Sequence, residues 1–207
     1  MNALAADAAI TAEQVRGLPL DTQRGTVAMA LFILTEAMLF VALFFAYFYL
    51  SLDKPQWPMD EPPTLTMPLV MLAVLLASSG VLEWGRRQGR AGRERAARGA
   101  TVLTAALGAA FLVLQSLEYR KHLKVVMPTT DAYGSLFYTI TGFHGTHVLL
   151  GVLMLLYVAF LPRLGPGDRP PHRPLHDASL YWHFIDGAWI VIVALVYVLP
   201  HWQRSSP

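Results

Sequence analysis

The sequence predicts an all-α integral membrane protein, a bundle of five transmembrane helices with its N-terminus in the cytoplasm and its C-terminus outside. Three observations carry this. Hydrophobic residues make up 55% of the 207 residues and charged ones 14%, well below the roughly 25% charged content of a soluble domain, and the mean hydropathy is +0.43. The apolar residues gather in five runs, each close to the ~20 residues that a helix needs to cross a bilayer. Basic residues are distributed unevenly between the connections, as expected when they mark the cytoplasmic side.

The tail before the first span, residues 1–25, is polar and lacks a cleavage pattern after an apolar stretch, so the first span is read as part of the mature chain. That span runs from about Val27 to Leu50 and is rich in Phe, Leu and Ala. The second, Leu65 to Trp84, opens after Pro62-Pro63 and carries Pro68 near its start, where a helix tolerates proline. The third is Ala100 to Leu117, the fourth Leu136 to Phe160 and the fifth Leu180 to Leu199. Lipid offers backbone groups no partner, so all five are helices. The membrane domain is residues 26–202, followed by a short tail, 203–207.

Arg16 and Arg24, the loop run Arg86, Arg87, Arg90, Arg93, Arg95 and Arg98, and then Arg163, Arg169 and Arg173 all fall on one side. Only Lys54, Arg120, Lys121, Lys124 and Arg204 fall on the other. This places the N-terminus in the cytoplasm, and it explains the arginine run by topology and anionic headgroups rather than by nucleic acid. Trp57, Trp84, Tyr119, Tyr133 and Trp202 sit near span ends, where interfacial aromatics collect.

The absence of cysteine excludes a disulfide framework, a thiolate metal site and a cysteine nucleophile. No phosphate-cradling loop is present for a nucleotide-driven pump. The informative residues are those that are costly in lipid. Glu36 lies near the centre of the first span with no cation in its own helix; it reads either as a proton-exchanging or headgroup-binding carboxyl or as an acid hydrogen-bonded to a neighbouring helix. His144 and His147 lie three apart on one helix face. Metal or haem ligation competes there with imidazoles hydrogen-bonded across an interface made close by Gly142, Gly145 and Gly151. His183 and Asp186, also three apart, are spaced to share a proton within one helix, about 10 Å below the cytoplasmic surface. Glu83 and Glu118 stand at span ends, Glu118 next to Tyr119 and Arg120, as for a headgroup-level salt bridge.

Four stretches together carry a family likeness: Ile33-Leu34-Thr35-Glu36-Ala37-Met38-Leu39-Phe40; Leu114-Gln115-Ser116-Leu117-Glu118-Tyr119; Asp131-Ala132-Tyr133-Gly134-Ser135 leading into Thr141-Gly142-Phe143-His144-Gly145-Thr146-His147-Val148; and Tyr181-Trp182-His183-Phe184-Ile185-Asp186 with Trp189. Over residues 25–202 the chain resembles subunit III of the haem–copper oxidases, of cytochrome c oxidase in particular. The resemblance implies a non-catalytic subunit of a proton-pumping, aerobic respiratory complex in the bacterial inner membrane. It holds no cofactor, metal or catalytic residue itself; haems and copper belong to partner subunits I and II, with a small subunit IV and membrane phospholipid as further partners.

By the same resemblance, Glu36 corresponds to the family's buried, carbodiimide-reactive carboxyl. His144, His147, His183 and Asp186 match polar positions of the last two helices, and together with Glu118 they are expected to be structural, lipid-related or proton-related sites. Larger members have seven helices and hold lipid between the first two and the other five; this chain begins at what looks like their third. Where members often carry a His-His pair and an acid, this chain has Arg86 to Arg98, so no role is carried over from that loop. A quinol oxidase or a nitric-oxide-reductase-associated relative shares the fold. Of other classes, a free-standing proton channel would use Glu36, His183 and Asp186 as a relay, and a di-haem cytochrome would use the imidazoles as ligands.

Overall fold

The structure is a computed structural model and describes residues 20–52, 54, 57, 64–122, 132–160 and 173–205. Most of the polar tail with Arg16, the Pro62-Pro63 pair, Lys124, Asp131, and Arg163 and Arg169 with their proline-rich loop lie outside the described residues.

The helices are α1 (Leu20–Ser51), α2 (Thr66–Arg90), α3 (Glu94–His122), α4 (Ala132–Phe160) and α5 (Arg173–Ile192). The last continues through a π-helical stretch, Val193–Val198, into α6 (Leu199–Ser205). Five rods are long and apolar enough to cross a membrane: Gly25–Ser51, Thr66–Arg90, Glu94–Lys121, Ala132–Phe160 and Pro174–Trp202. Among the described residues there is no strand.

Each rod outruns its apolar stretch, because a helix satisfies its own backbone and continues into the polar layer. The arginine-rich second loop is therefore mostly helix: Arg86, Arg87 and Arg90 close α2, Arg95 and Arg98 open α3, and the turn is confined to residues 91–93. Gly92 adopts φ 74° there. Its N–H bonds the Gly89 carbonyl at 3.0 Å and the next N–H, of Arg93, bonds the Gln88 carbonyl at 2.9 Å, a Schellman stop that needs a residue free of a Cβ penalty.

Sequential neighbours pack as antiparallel pairs, α2 on α3, α3 on α4 and α4 on α5. The last rod also meets α2 and α1 and is the centre of the bundle. Half of its most apolar window is buried, against 6% for α1, which rests on α4 and α5 alone among its substantial contacts. Small residues permit these approaches. A Cβ on Gly85 would come within 2.5 Å of the Ala100 methyl, joining α2 to α3. Trp182 of α5, fully buried, occupies the gaps left by Gly108 of α3 and Gly151 of α4; a Cβ at either would lie 2.5 Å or 3.0 Å from its ring. Its indole N–H donates to Ser78 Oγ of α2 at 2.9 Å, so one side chain ties four helices.

Trp84 and Trp202 are exposed near rod ends, as expected of interfacial aromatics. Trp57 and Tyr133 are instead buried, packed edge-on at 5.5 Å and each against Tyr47, and form an aromatic plug rather than a lipid-facing belt.

Candidate functional site: polar clusters within the membrane span

Glu36 of α1 reaches across to α4, where its Oε2 lies 2.7 Å from His147 Nε2. The other ring nitrogen, Nδ1, lies 2.6 Å from the Phe143 carbonyl one turn back. A carbonyl only accepts, so Nδ1 carries a proton. Nε2 then either accepts from a protonated Glu36 or, as imidazolium, donates to the carboxylate; both forms share one proton across the 2.7 Å contact. The Phe40 ring, one turn on from Glu36, covers the His147 ring at 5.1 Å. His147 is nearly enclosed, and Glu36 keeps 23% of its side chain accessible at the flank of the bundle.

His144 does not share this arrangement. The expectation of two imidazoles hydrogen-bonded across the interface holds for His147 only. The helical turn that aims His147 at α1 aims His144 at the core, where it is fully buried, stacked on Trp189 at 4.8 Å and met edge-on by Phe111 at 5.5 Å. Neither of its ring nitrogens has a partner among the described residues.

His183 and Asp186 also differ from expectation. They do not share a proton directly, since Nδ1 and Oδ2 are 4.0 Å apart. Ser79 of α2 stands between them: its Oγ is 3.1 Å from His183 Nδ1 and donates to Asp186 Oδ2 in a very short hydrogen bond. With the hydroxyl proton committed to the carboxylate, Oγ accepts from His183 Nδ1–H. Asp186 lies well inside the rod Pro174–Trp202, about 18 Å along the helix from its first residue at 1.5 Å per residue.

Glu118, three residues from the end of its rod at Lys121, is buried in the bundle, with 4% of its surface exposed. Beside it lies a polar knot: Gln115 Nε2 donates to the Thr141 carbonyl at 2.6 Å and to the Tyr119 hydroxyl at 3.1 Å, while the Tyr119 and Thr141 hydroxyls are 2.7 Å apart. Gly145 makes room for Gln115, a Cβ there falling 2.7 Å from its Oε1. Glu83 pairs with Arg86 at 2.8 Å and Arg87 at 3.2 Å. Among the described residues no three His, Asp or Glu side chains converge as metal ligands.

The family model for cytochrome c oxidase subunit III matches residues 17–203, which takes in all five rods. The chain belongs to the cytochrome c oxidase subunit III family. It is 38% identical over 174 residues to the cytochrome c oxidase subunit 3 of Synechocystis, with 83% of this chain and 74% of that protein covered. To the subunit 3 of Thermostichus vulcanus it is 33% identical over 175 residues, covering 84% of this chain and 86% of the other. An animal relative, the subunit 3 of Lumbricus terrestris, is 35% identical over 178 residues, covering 82% of this chain and 68% of that protein.

Against this subunit III frame, the structure joins Glu36 to His147 and His183 to Asp186, with no hydrogen bond or ion pair linking the two clusters among the described residues. Ser78 and Ser79 carry no distinguishing signal in the sequence, where serines among Ala, Gly and Leu read as small packing residues. Gln115 stood within a family stretch, but its partner, the Thr141 carbonyl, belongs to a backbone that carries no sequence signal.

Proposed function

We propose that the chain is the non-catalytic third subunit of an aerobic, proton-pumping cytochrome c oxidase, multi-pass in a bacterial inner membrane with its N-terminus and arginine-rich turn cytoplasmic. The observation that carries this reading is the family match across every membrane rod. Haems and copper would reside in partner subunits I and II, with a small fourth subunit and phospholipid completing the assembly. Within it, the Glu36–His147 pair clamps the lightly packed α1 to α4 and presents one exchangeable proton at the flank. His183–Ser79–Asp186 and the buried Glu118 fix the helices around α5 and α3. His144 serves as a shaped aromatic element of the core.

The test is to place an affinity tag on this chain, extract the native membranes gently and record the optical spectrum and subunit composition of the purified material. Haem bands and two larger oxidase polypeptides in stoichiometric amount are expected. A chain that purifies alone and haem-free from membranes containing an active oxidase overturns the proposal.

A further inference from the structure

The seam between α2 and α5 carries polar groups inward from the arginine-rich end. Arg86 Nη1 donates to His176 Nδ1 at 2.8 Å, and farther along the seam Ser79 bridges His183 and Asp186. Asp186 is enclosed, but 45% of the His183 side chain is accessible on the outside of the bundle. His183 is nine residues into a rod of 29, about 14 Å from its end at 1.5 Å per residue, and thus inside a hydrocarbon layer about 30 Å thick. Its Nδ1 is tethered to Ser79, so the ring has no freedom to reach up to the headgroups. With Nδ1–H given to Ser79, Nε2 of an uncharged imidazole is an acceptor; it is the ring nitrogen left over on a side chain that is 45% accessible, and no hydrogen bond or ion pair among the described residues engages it.

A bare acceptor facing acyl chains is costly, and lipid has no donor at that depth. Around His183 the surface is shaped for a helix. Gly187, one turn on, is open, with nothing within 4 Å of where a Cβ would stand, and Leu76 and Ile190 are exposed apolar flanks. Small residues that admit a backbone, with a polar group at the centre, are how helices recognise one another in a bilayer.

We infer that the α2–α5 seam at His183 is the docking surface for a transmembrane helix of another polypeptide of the complex, one that brings a hydroxyl, amide or indole donor to His183 Nε2. The inference rests on the proposed oxidase function and adds to it which face of the chain meets the partner and what the partner presents there.

The test uses the tagged complex in its native membrane. A benzophenone-bearing amino acid replaces Gly187, the membranes are irradiated, and adducts of the chain are identified by mass. A covalent adduct with another polypeptide of the complex is expected, whereas adducts with lipid alone overturn the inference. In parallel, retention of the chain through detergent washing is compared for His183→Gln and His183→Phe. Gln keeps an acceptor and should be retained like the unsubstituted chain, while Phe should be lost about threefold more readily, the size of one average interhelical hydrogen bond in a membrane. Equal retention of the two variants also overturns it. Copurification of the unsubstituted tagged chain with the oxidase, read in the same experiment, separates failure of this docking surface from failure of the subunit assignment.

Discussion

Glu36 Oε2 and His147 Nε2 stand 2.7 Å apart across the α1–α4 interface, and the second nitrogen of that imidazole is held by the Phe143 carbonyl. With the hydrogen bond from Thr26 Oγ1 to Asp177 Oδ1 of α5 at 3.0 Å, the pair is one of the polar ties of a helix whose apolar window is almost wholly unburied by the rest of the chain.

The Glu36–His147 contact should appear as a coupling energy. Glu36→Gln and His147→Leu are each expected to destabilise the complex, and the double variant should cost less than the sum of the two by about 0.6–1.7 kcal/mol, the range found for interhelical hydrogen bonds in membranes. Thermal or denaturant unfolding of the four proteins of the double-mutant cycle measures this; strict additivity is the contrary result.

His144→Phe should be neutral or stabilising. The imidazole is enclosed by Trp189, Phe111 and Phe40 with no partner on either nitrogen among the described residues, and removing an unsatisfied buried polar group in favour of an apolar one of similar shape recovers its desolvation penalty, about 1–3 kcal/mol at most. A melting temperature several degrees below that of the unsubstituted chain contradicts the arrangement described.

Around Trp182 the cost is steric. Gly108→Leu and Gly151→Leu should each destabilise by more than about 3 kcal/mol, beyond the usual range for overpacking, because the intruding carbons meet a ring already held on every side. Gly80→Ala and Gly99→Ala, where nothing lies within 4 Å of the new methyl, should be silent. Yield of folded chain in membranes and its thermal stability give the comparison.

Gln115→Leu removes the donor to the Thr141 carbonyl and the Tyr119 hydroxyl, leaving buried acceptors short of a partner at a cost of about 1–3 kcal/mol. Gln115→Glu, which loses the N–H donors but keeps the shape, is expected to be at least as harmful. The same stability assay ranks the two, and a milder effect of Glu than of Leu goes against the hydrogen-bond account.

The five spans were legible because hydropathy and length report directly on what lipid demands of a backbone. Their ends were not, since the polar final turns of α2 keep winding on their own hydrogen bonds until Gly92 stops them. The costly residues were legible too: Glu36, His147, His183 and Asp186 all engage in polar contacts between helices or along one. Which residue meets which was not. His144 and His147 differ by one turn in sequence but face different neighbours, and that depends on where α1 lies. Ser79 acquires its place between His183 and Asp186 only when α2 is laid on α5.

The π-helical stretch Val193–Val198 precedes Pro200. Proline withholds an N–H and crowds the carbonyl four residues back, and a turn with one surplus residue relieves that crowding without breaking the rod. Such a turn is a phase shifter: every side chain beyond it, His201 and Trp202 included, is rotated by about a quarter of a revolution from where uninterrupted 3.6-residue winding would aim it. Restoring regular winding there, as Pro200→Ala would allow, swings the terminal indole to a different bearing, whereas deleting one residue from the stretch removes the surplus and leaves that bearing unchanged.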